Sequence, residues 1–184
     1  EVVARPVDGN WEAAFLAAIA RPGAPPLSVV ALTPAHWTDG TIIPLERIAR
    51  AAQARGAAVV VDATQAAAAM PVNVARLRPD FLAFPTYKWA LGPYSVAFLY
   101  AAPHRQSGRP LDENNFNRPG EDFAAGARRY DRGERADPAG IPMAAEAMDE
   151  VAVDKEAVGD GDGDGDGDGA WALLLLPPQP QQPQ

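Results

Sequence analysis

The run Ala57-Ala58-Val59-Val60-Val61-Asp62-Ala63-Thr64-Gln65, with Asp80-Phe81-Leu82-Ala83-Phe84-Pro85-Thr86-Tyr87-Lys88-Trp89 after it, decides the fold. Apolar runs of this length without polar alternation are the mark of strands buried on both faces, as in a parallel sheet. A short alanine-rich link from Thr64 to Arg78 joins them, so the pair reads as a βαβ unit with a helical crossover. Each run ends near an ionisable group, Asp62 after the first and Lys88 after the second. Ligands of open α/β sheets bind outside the carboxyl ends of the strands. One carboxylate and one amine are therefore expected on the same rim, on neighbouring strands about 5 Å apart.

Working outward, Trp11, Phe15, Leu16 and Ile19 recur at helical spacing behind a cap at Asp8 or Asn10. Leu27 to Leu32 is the first clear strand, and Thr33 to Gly40 a turn-rich loop. Pro44 opens a helix that runs to Arg55 with Leu45, Ile48, Ala49 and Ala52 on one face, and Gly56 ends it. Gly92-Pro93 turns the chain into a strand from Tyr94 to Tyr100. So few residues separate this strand from Phe84 that a parallel crossover is excluded, and it should run antiparallel to its predecessor. Residues 101–137 read as a long polar loop, and Ile141 to Met148 as the start of a helix. The expected fold class is α/β: a mostly parallel sheet with one antiparallel strand and helices on both faces, over residues 1–148.

The formal charge of −8 is local. Residues 149–168 hold nine acids and one base, leaving 15 of each among the rest, so the folded part is neutral and carries no basic patch for nucleic acid. Gly159 to Gly169 alternates Gly and Asp strictly, and Pro177 to Gln184 contains only Pro and Gln. Neither can bury apolar surface, so residues 149–184 are expected to form a disordered, low-complexity tail. Two His and no Cys leave few ligands for a transition metal and no disulfide framework, which suits a reducing, cytoplasmic setting. The longest apolar run is too short to span a bilayer. The chain opens on Glu1 in mid-element and reads as a piece of something longer.

A lysine in a crevice can condense with a carbonyl to form a Schiff base. Pyridoxal 5′-phosphate is the cofactor that needs such a lysine together with an acid for its ring nitrogen. Val61-Asp62-Ala63-Thr64-Gln65 and the stretch from Asp80 to Trp89 resemble the class V aminotransferase family of fold-type-I pyridoxal phosphate enzymes, which includes cysteine desulfurases, kynureninase and isopenicillin-N epimerase. The resemblance covers about Ser28 to Met148 and implies part of the large domain of such an enzyme. It also implies roles for individual residues. Asp62 would pair with the pyridine nitrogen, Gln65 would bond the ring's phenolic oxygen or the Schiff-base region, and Lys88 would carry the cofactor and act as acid and base. Thr86 and Tyr87 would lie near the phosphate. His36 stands where relatives often place an Asn that contacts the cofactor's oxygen.

By the same resemblance the substrate would be an amino acid, and the complete enzyme a homodimer, with the arginine-rich loop Arg128 to Arg135 as a candidate to cross the interface. Burial beside Phe84, Tyr87 and Trp89 is expected to desolvate the Lys88 amine. The pattern departs from the family at Ser95, where a Gly is usual, and at Glu134, where a Thr reaches a partner's phosphate; Arg135 is the candidate substitute. A glycine-rich phosphate loop and most of a small domain are not in the sequence. Without cysteine, cysteine desulfurase chemistry has no nucleophile here. The rival reading is a catalytically inactive remnant of such an enzyme.

Overall fold

The computed structural model describes residues 1–94, 96–133, 137–153 and 171–175. Its centre is one sheet in the order β1-β2-β3-β4-β5, formed by Val29–Leu32, Ala58–Asp62, Phe81–Pro85, Val96–Ala101 and Trp171–Leu175. β1, β2 and β3 are parallel, β4 is antiparallel to β3, and β5 is antiparallel to β4. β4 is therefore the one strand that runs against the other four, as its short connection to β3 requires.

Among the described residues four α-helices accompany the sheet: α1 (Trp11–Ala20), α2 (Leu45–Ala54), α3 (Val74–Leu77) and α4 (Gly140–Val153). The Asn10 side chain caps α1 by accepting from the Ala13 N–H at 3.0 Å. α2 buries the expected stripe of Leu45, Ile48, Ala49 and Ala52. Gly56, at φ +75°, turns the chain out of it, and the Ala57 N–H reaches back to the Ala52 carbonyl. Helix and sheet then share one core: Trp11 and Ile19 of α1, the α2 stripe, Leu77 of α3, and Val30, Leu32, Val59, Val61, Leu82 and Phe84 of β1 to β3.

Two expectations need correction. The strands are not buried on both faces: Val59 and Val61 are fully buried, while Ala58 and Val60, which alternate with them, are only half-buried, and Val29 is exposed. The α-helices among the described residues pack on the Val59/Val61 side, with Val96 of β4 meeting Ala144 of α4 there. The opposite side is covered in part by a 3₁₀ segment, Gly126–Tyr130, whose Ala127 and Tyr130 meet Phe81, Leu99 and Ala101. The link after β2 is helical only over Val74–Leu77. Ala68 at φ +69° and Pro71, which has no N–H to donate, break the rest into turns. α4 runs on to Val153, and Trp171–Leu175 pairs along the free edge of β4. An apolar strand satisfies its own backbone and that open edge together. The Gly-Asp and Pro-Gln tracts lie outside the described residues. No helix among the described residues is long and apolar enough to cross a membrane.

The far end of the sheet is tied by Asp80. Its carboxylate is buried and accepts from the Val59 N–H at 2.6 Å, from Arg105 Nε at 2.6 Å, and pairs with His104 Nε2 at 2.8 Å. Burial pushes its pKa up, but the Val59 N–H, Arg105 and His104 outweigh that and hold it below the ordinary carboxylate value. A folded-state pKa below the unfolded one stabilises the fold above about pH 4, and that contribution is lost as pH falls through the folded value. Asp80→Ala should cost about 3 kcal/mol at neutral pH by leaving the Val59 N–H and Arg105 without their acceptor. Urea unfolding followed from pH 7 down to pH 2 should show a flatter acid limb in this variant than in the parent. Equal slopes would mean that Asp80 does not control the acid limb.

Candidate active site

The rim where β1, β2 and β3 end carries Asp62, Gln65, Lys88 and the loops that hold His36, Thr86 and Tyr87. β2 pairs with β3 through Val60–Phe81, Val61–Leu82 and Asp62–Ala83, and the Ala63 N–H donates to the Ala83 carbonyl at 2.8 Å. This last bond holds the turn after Asp62 beside the loop that leaves β3 at Pro85. A second tie joins the two segments further out, where the Trp89 indole Nε1–H donates to Gln65 Oε1 at 3.1 Å. Asp62 and Lys88 are thus brought to one rim by register and by a side-chain bond between their flanking residues.

Asp62 is exposed, and its Oδ1 accepts from the Thr64 N–H at 3.0 Å, which tightens the turn that presents Gln65. Lys88 is also exposed, with Nζ 5.6 Å from the centre of the Tyr87 ring, within reach of a cation–π contact. The expected desolvation by Phe84, Tyr87 and Trp89 is absent, because each is engaged elsewhere. Phe84 faces the core against Phe98, Tyr87 stacks on Tyr94 at 4.4 Å, and Trp89 holds Gln65.

Thr86 is fully buried, and its hydroxyl lies 2.8 Å from the Pro93 carbonyl and 3.1 Å from that of Val96. It closes the loop on itself. The Gly92 N–H donates back to the Thr86 carbonyl at 2.9 Å, and a Cβ on Gly92 would lie 2.6 Å from Thr86 Cβ. Only glycine allows that approach.

On the third loop, after β1, His36 stacks on Trp11 with centroids 5.1 Å apart, and its Nδ1 lies 2.9 Å from Thr38 Oγ1 and 3.3 Å from Asp39 Oδ1. The Thr41 N–H, with Arg5 and His36 adding to it, holds the Asp39 pKa below the ordinary value. His36 is thus packed against α1 at the rim, while the Gln65–Trp89 and Tyr87–Tyr94 pairs organise the centre. Tyr94 carried no assigned role in the sequence, and Trp89 only that of shielding the Lys88 amine; its bond to Gln65 depends on a distance that the sequence does not give. Ser95, Glu134 and Arg135 lie outside the described residues. A cavity of about 460 Å³ between α2 and Met70–Asn73, and another of about 370 Å³ beside Arg109, Arg118 and Phe123, have no wall formed by Asp62, Gln65 or Lys88.

A model of the aminotransferase class-V family matches residues 1–112, more than half of the chain. The chain belongs to the aminotransferase class-V family. Among curated members, isopenicillin N epimerase of Streptomyces clavuligerus is 38% identical over 68 residues, 37% of this chain and 17% of that protein. A probable cysteine desulfurase of Streptomyces coelicolor is 46% identical over 61 residues, 33% of this chain and 14% of that protein. The solved cysteine desulfurase of Thermococcus onnurineus NA1 superposes with a TM-score of 0.68 at 26% identity, over 83% of this chain and 38% of that one. The class-V chain thus spans well under half the length of the relatives it matches.

In this class-V chain the rim loop depends on the Gly92–Thr86 approach. Gly92→Ala should destabilise the fold by about 1–3 kcal/mol, since overpacking at a buried contact forces the backbone to shift. Equilibrium unfolding in urea measures this, and a variant as stable as the parent would show that the loop is not closed in this way.

Proposed function

We propose that this rim holds pyridoxal 5′-phosphate and that the chain supplies the central residues of an enzyme acting on an amino acid. The observation that supports this most is the pairing of the Asp62 turn with the Lys88 loop, through Ala63–Ala83 and Gln65–Trp89. The residues fit the group's reactive half. Lys88 offers a primary amine on an open rim to an aldehyde, Asp62 a carboxylate to a protonated ring nitrogen, and Gln65 an amide to a ring oxygen. They fit its phosphate less well, because the Thr86 hydroxyl is committed to the Pro93 and Val96 carbonyls. In this reading Thr86 shapes the loop, Tyr87 with its stacked partner Tyr94 walls the site, and His36 borders it.

When bound, the cofactor supplies an electron sink for negative charge at the substrate's α-carbon. The chain's own part is to hold and to move protons. Asp62 would place its carboxylate against the ring nitrogen and hold the proton there. Lys88, once its Nζ is released, takes the α-proton and can return it. The reaction type, whether transamination, epimerisation or lyase chemistry, would depend on which bond at that carbon the site's residues orient for cleavage and on where Lys88 returns the proton.

Shielding from water is one way to activate a lysine nucleophile. The exposed rim residues Trp37, Trp89, Leu91 and Tyr94 are 75%, 55%, 78% and 76% exposed, and they form the surface on which a second copy would close the site. The same exposure favours a second reading for the chain taken alone, a folded module without turnover.

Adding pyridoxal 5′-phosphate and then borohydride should fix the cofactor covalently, and peptide mapping should place it on Lys88. Asp62→Ala should weaken binding by roughly tenfold or more, as expected for a lost charge-assisted bond. Label shared with Lys155 and the amino terminus, or unchanged labelling in Lys88→Ala, would refute the site. Label on Lys88 without turnover of any amino acid would favour the second reading.

A further inference from the structure

Gln65 has one acceptor oxygen and two N–H donors on its amide, and nothing intrinsic to the side chain decides which end faces a ligand. Here the neighbour decides. The indole of Trp89 has an N–H and no acceptor, so the atom it binds at 3.1 Å must be the amide oxygen. The nitrogen, at about 120° on the same carbon, is then turned away from Trp89 with both donors unspent on that partner. Gln65 and Trp89 flank Asp62 and Lys88 in sequence, and the Ala63–Ala83 bond fixes the two segments side by side.

We propose that Trp89 is a positioning residue that fixes the Gln65 amide with its oxygen toward the indole, so that the nitrogen, with its two N–H donors, is the end left for a ligand. The inference rests on the reading of this rim as the cofactor site, and it selects among ligands. A ring bearing an anionic or carbonyl oxygen beside its aldehyde is accepted. One bearing only a donor at that place is disfavoured, because the amide end left for it is itself a donor. Trp89 also couples the two halves of the site, since it follows Lys88 directly and its partner lies three residues beyond Asp62.

Both the lock and its consequence are measurable on the full chain. The four Trp residues give four indole N–H resonances in ¹⁵N-labelled protein, and loss of one in Trp89→Phe assigns Trp89. In Gln65→Leu that resonance should move upfield and exchange with solvent faster. In Gln65→Glu, which keeps an acceptor but removes both donors, it should stay bonded. An indole signal indifferent to Gln65→Leu would overturn the lock, whatever the cofactor does.

Pyridoxal 5′-phosphate should then shift the two side-chain amide protons of Gln65 and leave the Trp89 indole in place. Trp89→Phe, whose amide is free to turn, should raise the Kd several-fold, and Gln65→Glu about tenfold, in line with one neutral and one charge-opposed bond. A Trp89→Phe protein that binds as tightly as the parent, while Gln65→Leu binds weakly, would show that Gln65 needs no orienting partner and would overturn the proposal. If the indole responds as expected but the parent does not load Lys88, the cofactor reading fails and the fixed donor geometry of Gln65 remains.

Discussion

The Ala63 N–H bond to the Ala83 carbonyl is the contact on which the site depends. It is the outermost backbone bond between the β2 end and β3, one residue beyond the Asp62–Ala83 pairing. A slip of one residue in this register would turn Val59 and Val61 out of the core and Asp62 toward it. The α2 stripe of Leu45, Ile48, Ala49 and Ala52 is packed against Val59 and Val61 and makes such a slip costly. Hydrophobic burial on one side of the sheet therefore fixes the position of a carboxylate on its rim. The same register places the exit of β3 so that Lys88 follows the shared edge.

Much of this was legible in the sequence, for physical reasons. Runs such as Val59-Val60-Val61 and Phe81-Leu82-Ala83-Phe84 have too little polarity for any place but a sheet, and Pro44 and Gly56 bracket a helix whose apolar stripe repeats at the helical period. The short route from Phe84 to Val96 left room only for a return strand. Asp62 and Lys88 were legible because strand ends in such sheets face the crevice.

What the sequence did not reveal depended on distance and on competition between contacts. A Thr beside a candidate site can serve a ligand or its own backbone, and only the approach of Gly92 and the carbonyls of Pro93 and Val96 show that Thr86 does the latter. Apolar composition does not tell one-sided from two-sided burial, so the half-open face at Val29 and Val60 was not foreseen. Trp171–Leu175 sits between two tracts with no apolar content, and its fitness for the edge of β4 depends on an open edge that lies far away in sequence. Trp89 follows the same logic: its neighbour in sequence is Lys88, but the residue it controls is Gln65 across the rim.

Native-state hydrogen exchange at the Ala63 amide tests the framework most directly. If the β2–β3 ladder holds to the rim, this amide opens only with the core, with protection close to that of the Val59 and Val61 amides. Exchange at the rate of an exposed loop amide, with Val59 and Val61 still protected, would show that the ladder stops short of the rim and does not fix Asp62 beside the Lys88 loop.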